Sequence, residues 1–144
     1  MLYKDFLKTV SGCPFCEEKA PEVIKENEKA ILRCAIAPYS HYHMVVVPKR
    51  HVVDYLELSR EERDSMDDLV ADGIKVLETL GIKDYSVIVR TGDKESIGKS
   101  IDHIHFNIVP KVRLGMIDAV GVERIVLTDK EVAEIVEKAK SVLA

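Results

Sequence analysis

Five histidines occur in the 144 residues, and two of them stand beside an asparagine in SIDHIHFNIVPK, residues 100–111. His103, His105 and Asn107 alternate there with Ile104, Phe106 and Ile108. Side chains on a strand alternate faces, so a strand over this stretch has one polar and one apolar face. Same-face neighbours lie about 7 Å apart, so three polar groups converge on a patch the size of a phosphate or a metal. The plainer reading is a solvent-exposed face. Two histidines at i and i+2, an amide at i+4 and the upstream Gly98, Lys99 and Ser100 favour a site. Gly98 permits close backbone approach. The Ser100 hydroxyl and the Lys99 charge suit phosphate oxygens. The run is not a P-loop, because position 93 is Asp where that motif needs Gly.

A second chemical signal is Cys13-Pro14-Phe15-Cys16. A C-x-x-C pair can bind metal, cycle through a disulfide or simply pack. The Pro-Phe filling and the lack of a βαβ pattern around it disfavour redox chemistry. Three cysteines form no even framework, and Cys34, between Leu32 and Ile36, reads as a buried thiol.

The elements that must position these groups follow from periodicity. Residues 22–27 and 29–37 read as two strands around a turn, and HMVVVP as a central strand. Ser59 and Glu62 form a capping box for a helix carrying Met66, Leu69, Val70, Ile74 and Leu77 inward and stopped by Gly81. DYSVIVR (84–90) is a strand, 91–100 a polar loop, 100–111 the next strand and ERIVL (123–127) a further strand. Thr128 and Glu131 cap a last helix running to about Leu143. Short links between strands predict an antiparallel α+β sheet in a single domain spanning 1–144. Its motifs fall in 11–111, and 112–144 form a C-terminal strand and helix extension.

Apolar residues make up 47% of the chain, charged residues 32%, and the formal net charge is −4. That balance argues against a nucleic-acid binder, which would show a basic stripe. No apolar run has the length of a membrane span, and the first ten residues lack a signal-peptide core. The expectation is a cytoplasmic protein.

The segment GKSIDHIHFNIVP resembles the signature of the histidine-triad (HIT) family of nucleotide hydrolases and transferases, H-x-H-x-H with a small polar run before it and Pro after. His103, His105 and Asn107 occupy its three places. YHMVVVPKRH is similar to a second family motif, GHxxVxPKRH, with His43 and His51 at the matching places. The Cys-x-Phe-Cys run is a third, and LELSREE matches the start of the family's main helix.

This resemblance implies a five-stranded antiparallel sheet with one main helix and a C-terminal helix, paired into a homodimer. It implies that His105 attacks the α-phosphorus of a nucleoside phosphoanhydride or phosphoramidate, such as a dinucleoside polyphosphate. A nucleotidyl-histidine would form and pass to water or another acceptor. His103, Asn107 and His43 would complete the catalytic group, with Ser100, Lys99 and Gly98 at the phosphate. Family members also bind zinc at the places held here by Cys13, Cys16, His51 and His103, a donor set suited to a structural, tetrahedral Zn2+.

Two departures stand out. Asn107 replaces the third histidine; it can donate a hydrogen bond but cannot titrate near neutrality. The transferase branch carries Gln there, a close chemical relative. Ala35 stands where the family has a ribose-binding Asp or Asn, and Arg90 or Thr91 replaces a usual Asn. The alternative to an enzyme is therefore a nucleotide- and zinc-binding module with little turnover.

Overall fold

The structure, a computed structural model, describes residues 1–93, 97, 101–113 and 123–144. The sequence expectations for Gly98, Lys99 and Ser100 lie outside the described residues. Five strands, β1 (Val23–Glu26), β2 (Ala30–Cys34), β3 (Met44–Pro48), β4 (Tyr85–Val89) and β5 (Phe106–Pro110), form one sheet in the order β1-β2-β3-β5-β4. Every pairing is antiparallel. The helices among the described residues are α1 (Tyr3–Thr9), α2 (Arg60–Thr79) and α3 (Asp129–Leu143). This is the expected α+β architecture.

Both capping boxes form: Ser59 Oγ accepts from the Glu62 amide, and Thr128 Oγ1 from that of Glu131. Each cap replaces water on otherwise orphaned helix donors, a contribution of about 1 kcal/mol. α2 and α3 cover one face of the sheet. Their buried stripe, Met66, Leu69, Val70 and Leu77 on α2 and Val132, Ile135, Val136 and Ala139 on α3, joins Leu32, Met44 and Ile108 in one core. Gly73 makes the closest approach. A Cβ there would lie 2.6 Å from Ile108 Cδ1, so any larger residue would force the Ile108 side chain to shift. No helix among the described residues is long and apolar enough to cross a membrane.

Register decides what faces away from the helices. Arg33, Val45, Asn107 and Ile88 form one cross-strand row, and residues in such a row share a face. The adjacent row, Cys34, Met44, Ile108 and Val87, points to the helices. Asn107 and Ile108 thus divide between the faces as alternation requires.

Two expectations are corrected. β5 begins at Phe106, so His103 and His105 lie on the bend and extended chain leading into it, not on a strand. Their convergence comes from loop geometry. The 123–127 segment is not a strand; it makes an isolated bridge, Leu2 to Ile125, with Arg124 O accepting from Tyr3 N and Met1 O from Val126 N. Its partner, α1, has no capping signal at Leu2, which is why periodicity did not reveal it.

Candidate active site and metal corner

The Cys-x-Phe-Cys run forms a short 3-10 turn, Pro14–Cys16, with Pro14 at a position where its missing N–H costs nothing. The turn turns both thiols toward His51, just past β3, and His103. Cys13 Sγ lies 3.3 Å from His103 Nδ1, and Cys16 Sγ lies 3.3 Å from His51 Nδ1 and 3.5 Å from His103 Nδ1. The four donor atoms all fall within 4.8 Å of one another. His103 Nε2 is 2.8 Å from Pro48 O. That carbonyl can only accept, so the proton sits on Nε2 and Nδ1 keeps its lone pair toward the cysteines. Burial, opposed by the Pro48 hydrogen bond, lowers the His103 pKa to about 4. Burial and the neighbouring Cys13 raise that of Cys16 to about 11. A neutral imidazole ligand beside a Cys16 thiol that a nearby cation would help to ionise is the chemistry of a metal corner. The Cys13, Cys16, His51 and His103 set fits a tetrahedral metal ion.

Two residues further on, His105 is set by the same bend. Its Nδ1 lies 2.8 Å from His103 O, so Nδ1 carries the proton and the lone pair is on Nε2. Phe15, from within the cysteine turn, packs its ring edge-on to both imidazoles, 5.0 Å from His105 and 6.1 Å from His103 between ring centres. The cysteine turn thereby touches His105 through an apolar ring.

His43 precedes β3. The turn that delivers it runs Ser40–His43, closed by His43 N donating to Ser40 O, with Tyr42 at φ 67°. A tyrosine in the left-handed region costs about 1–2 kcal/mol, retained here because the turn is tied elsewhere: Tyr39 N donates to His43 Nδ1 and Ser40 Oγ to Pro110 O. With Nδ1 accepting, His43 must carry its proton on Nε2, 3.0 Å from Asn107 Oδ1. The tautomer fixes the amide orientation: Asn107 Oδ1 accepts from His43, and Nδ2 donates to Ile88 O at 3.3 Å. One amide hydrogen of Asn107 remains for another acceptor. His43 is buried, which lowers its pKa to about 3, with Arg124, His105 and Arg90 pushing the same way.

A pocket opens beside His105, His43 and Asn107. Its wall holds Arg33, Arg90 and Arg124, residues that sequence reasoning did not place together. Arg33 is 1% exposed. It donates to Glu17 O, Pro14 O and Glu22 Oε1, tying β2 to the cysteine turn. An arginine inside the apolar run AILRCAIA was the available signal. Arg124 lies over the rings of Tyr3 and Tyr39, at 4.4 and 4.5 Å from their centres, and no motif near it announces this. Cys34 is buried, and its thiol is pushed up to about 12, as befits a packing residue; His41 is exposed.

The HIT domain family matches residues 17–114. Adenosine 5'-monophosphoramidase of Schizosaccharomyces pombe is 31% identical over 104 residues, 69% of this chain and 74% of that protein. An uncharacterised HIT-like protein of Methanocaldococcus jannaschii is 29% identical over 103 residues, 69% of this chain and 78% of that protein. The structure of a zinc-bound histidine triad family protein from Mycobacterium smegmatis superposes with a TM-score of 0.69 at 22% identity, covering 92% of this chain and 95% of that one. That likeness concerns the fold. The family match takes in more than half of the chain, from beside the cysteine turn through His43, His105 and Asn107; the chain belongs to the HIT domain family.

Proposed function

We propose that this chain is a nucleotidyl hydrolase or transferase in which Nε2 of His105 attacks the α-phosphorus of a nucleoside phosphoanhydride or phosphoramidate. The observation that carries the reading is the 2.8 Å contact of His105 Nδ1 with the His103 carbonyl. It supplies the neutral tautomer with its lone pair on Nε2, which a histidine nucleophile needs near pH 7. The bond from Nε2 to phosphorus forms as the bond to the leaving group breaks, and water or another acceptor then displaces the imidazole. The remaining Asn107 amide hydrogen suits a phosphoryl oxygen that gains charge in both steps. Ser100, Lys99 and Gly98 are proposed for the same phosphate.

The chemistry of the pair behind His105 favours one leaving-group class. Asn107 has no titratable proton, and burial keeps His43 neutral. Neither can protonate a departing amine. A phosphate or polyphosphate leaves without one, so anhydrides should turn over faster than phosphoramidates. The same feature supports a second reading, a nucleotide-binding module with slow turnover.

Zinc is the ion proposed for the Cys13, Cys16, His51 and His103 corner, where it would hold the cysteine turn and the His103 ring beside His105. A homodimer is proposed through the exposed apolar strand β4.

The deciding experiment measures product release from dinucleoside polyphosphates, nucleoside phosphoramidates and nucleotide sugars, with and without inorganic phosphate, beside His105→Ala. Turnover lost in the variant supports the enzyme. A requirement for phosphate identifies a transferase. Equal rates for the wild type and the variant on every substrate would leave the binding module.

A further inference from the structure

The pocket beside His105 has a polarity opposite to that of the chain. Its wall carries Arg33, Arg90 and Arg124 and, among the described residues, the single carboxylate of Glu22, in a protein of net charge −4. Glu22 is already engaged, 2.6 Å from Arg33. Ala35 and Ala37 add only methyl groups to the same wall. Among the described residues a neutral sugar diol would find no unengaged carboxylate there to accept its hydroxyl protons. An anion would find guanidinium groups.

Arg124 is the most telling of these. It is half-buried, sandwiched between Tyr3 and Tyr39, and its NH1 donates to Ala37 O at 3.3 Å. Among the described residues it has no carboxylate partner. Arg90 NH1 lies 3.2 Å from Tyr39 Oη, on the same ring. Tyr39 in turn stacks on His43, 5.1 Å between centres and 13° from parallel. The aromatic and cationic groups thus form a continuous layer, Tyr3–Arg124–Tyr39–His43, ending at the Asn107 amide. Both Arg124 and Arg90 act electrostatically on His43, so their charge reaches the reacting end of the pocket.

The layer also lines the pocket with Tyr3 of α1 and Arg124 of the 123–127 segment. A leaving group must diffuse away between the two chemical steps, which a walled cleft obstructs. The portion that stays bonded to His105 gains from one.

We propose that this pocket selects nucleotides carrying a second phosphate on the sugar, in addition to the reacting phosphate, and that Arg124 and Arg90 bind that second phosphate. The inference rests on the His105 reading for the position of the first phosphate, but its test is one of binding and does not need turnover.

The probes are adenosine 2',5'-bisphosphate, adenosine 3',5'-bisphosphate, ADP and AMP, titrated calorimetrically into wild type, Arg124→Gln, Arg124→Lys and Arg90→Gln. One of the two bisphosphates should bind about ten- to hundredfold more tightly than AMP, the scale of one or two charge-assisted hydrogen bonds. ADP should gain much less. Arg124→Gln should abolish the gain, and Arg124→Lys should retain part of it. If Arg124→Gln fails to fold because the Tyr3 stack is lost, Arg90→Gln carries the same test. Bisphosphates no tighter than AMP, a gain indifferent to both arginines, or an arginine-dependent gain with ADP alone would each overturn the proposal. A selective pocket in a protein without turnover would instead retain this inference and sink the catalytic one.

Discussion

His43 hands its Nε2 proton toward Asn107 Oδ1 at 3.0 Å, across the boundary between β3 and β5 and out of contact with bulk water. The pair is neutral by construction, since burial holds His43 near pKa 3. An unfolded chain would titrate this histidine near pH 6.5. Stability from the neutral ring is therefore complete above pH 6.5 and declines as pH falls toward 3, at up to about 1.4 kcal/mol per pH unit. His43→Gln keeps an amide donor for Asn107 and removes the titration. Urea unfolding from pH 7 to pH 4 should show a shallower loss in the variant; parallel curves would mean that His43 is not the responsible group.

Asn107 has its own consequence. Its Oδ1 accepts from His43 and one of its two amide hydrogens goes to Ile88 O, leaving one N–H for substrate. Asn107→Ala should lower kcat about 10²-fold with little change in KM, as expected when one oxyanion donor is removed. Loss confined to KM would assign Asn107 to ground-state binding instead.

The legible part of this protein was its periodicity and its motifs. Ser59 and Thr128 announced two helices because capping boxes are local chemistry, and both formed. The Cys13, Cys16, His51 and His103 cluster could be expected from family motifs and is assembled in space. Alternation failed at His103 and His105, because the bend before Phe106 also spaces side chains two apart. The arginine wall was illegible for a different reason. Arg33, Arg90 and Arg124 come from β2, the end of β4 and the segment before α3, and no local pattern brings such distant positions together. α1 was missed because no capping signal marks its start, and its partner, the 123–127 segment, lies more than a hundred residues away in sequence.

At the metal corner, Cys16 is held protonated up to about pH 11 without a cation. Zinc bound there must therefore displace the Cys16 proton at pH 7. Calorimetry in buffers of different ionisation enthalpy should report that release, and affinity should fall as pH is lowered. Cys16→Ser should bind zinc far more weakly and melt at a temperature insensitive to chelator. Uptake without proton release would place the ion elsewhere.

Arg33 joins the cysteine turn to the sheet by its bonds to Pro14 O and Glu17 O, and it neutralises Glu22. Arg33→Met would leave two carbonyls and a mostly buried carboxylate without their donor, a loss of about 3 kcal/mol or more. Glu22→Gln in the same chain should recover part of it, since the orphaned charge is then gone. If Arg33 only packs, the second substitution will restore nothing. Zinc affinity should fall in the single variant too, because the turn that presents Cys13 and Cys16 loses its tether.

Among the described residues β4 pairs only with β5 and ends the sheet, yet it exposes Tyr85, Val87 and Val89 on one face, with Val87 44% accessible. Natural edge strands are usually short, charged or covered, and an apolar one invites pairing. A second copy of β4, running antiparallel, would extend the sheet and cover these side chains. Val87→Lys should therefore shift sedimentation from dimer toward monomer without lowering the thermal stability of the monomer, since the side chain is already half in water. A wild-type chain that sediments as a monomer at high micromolar concentration would remove the proposed dimer.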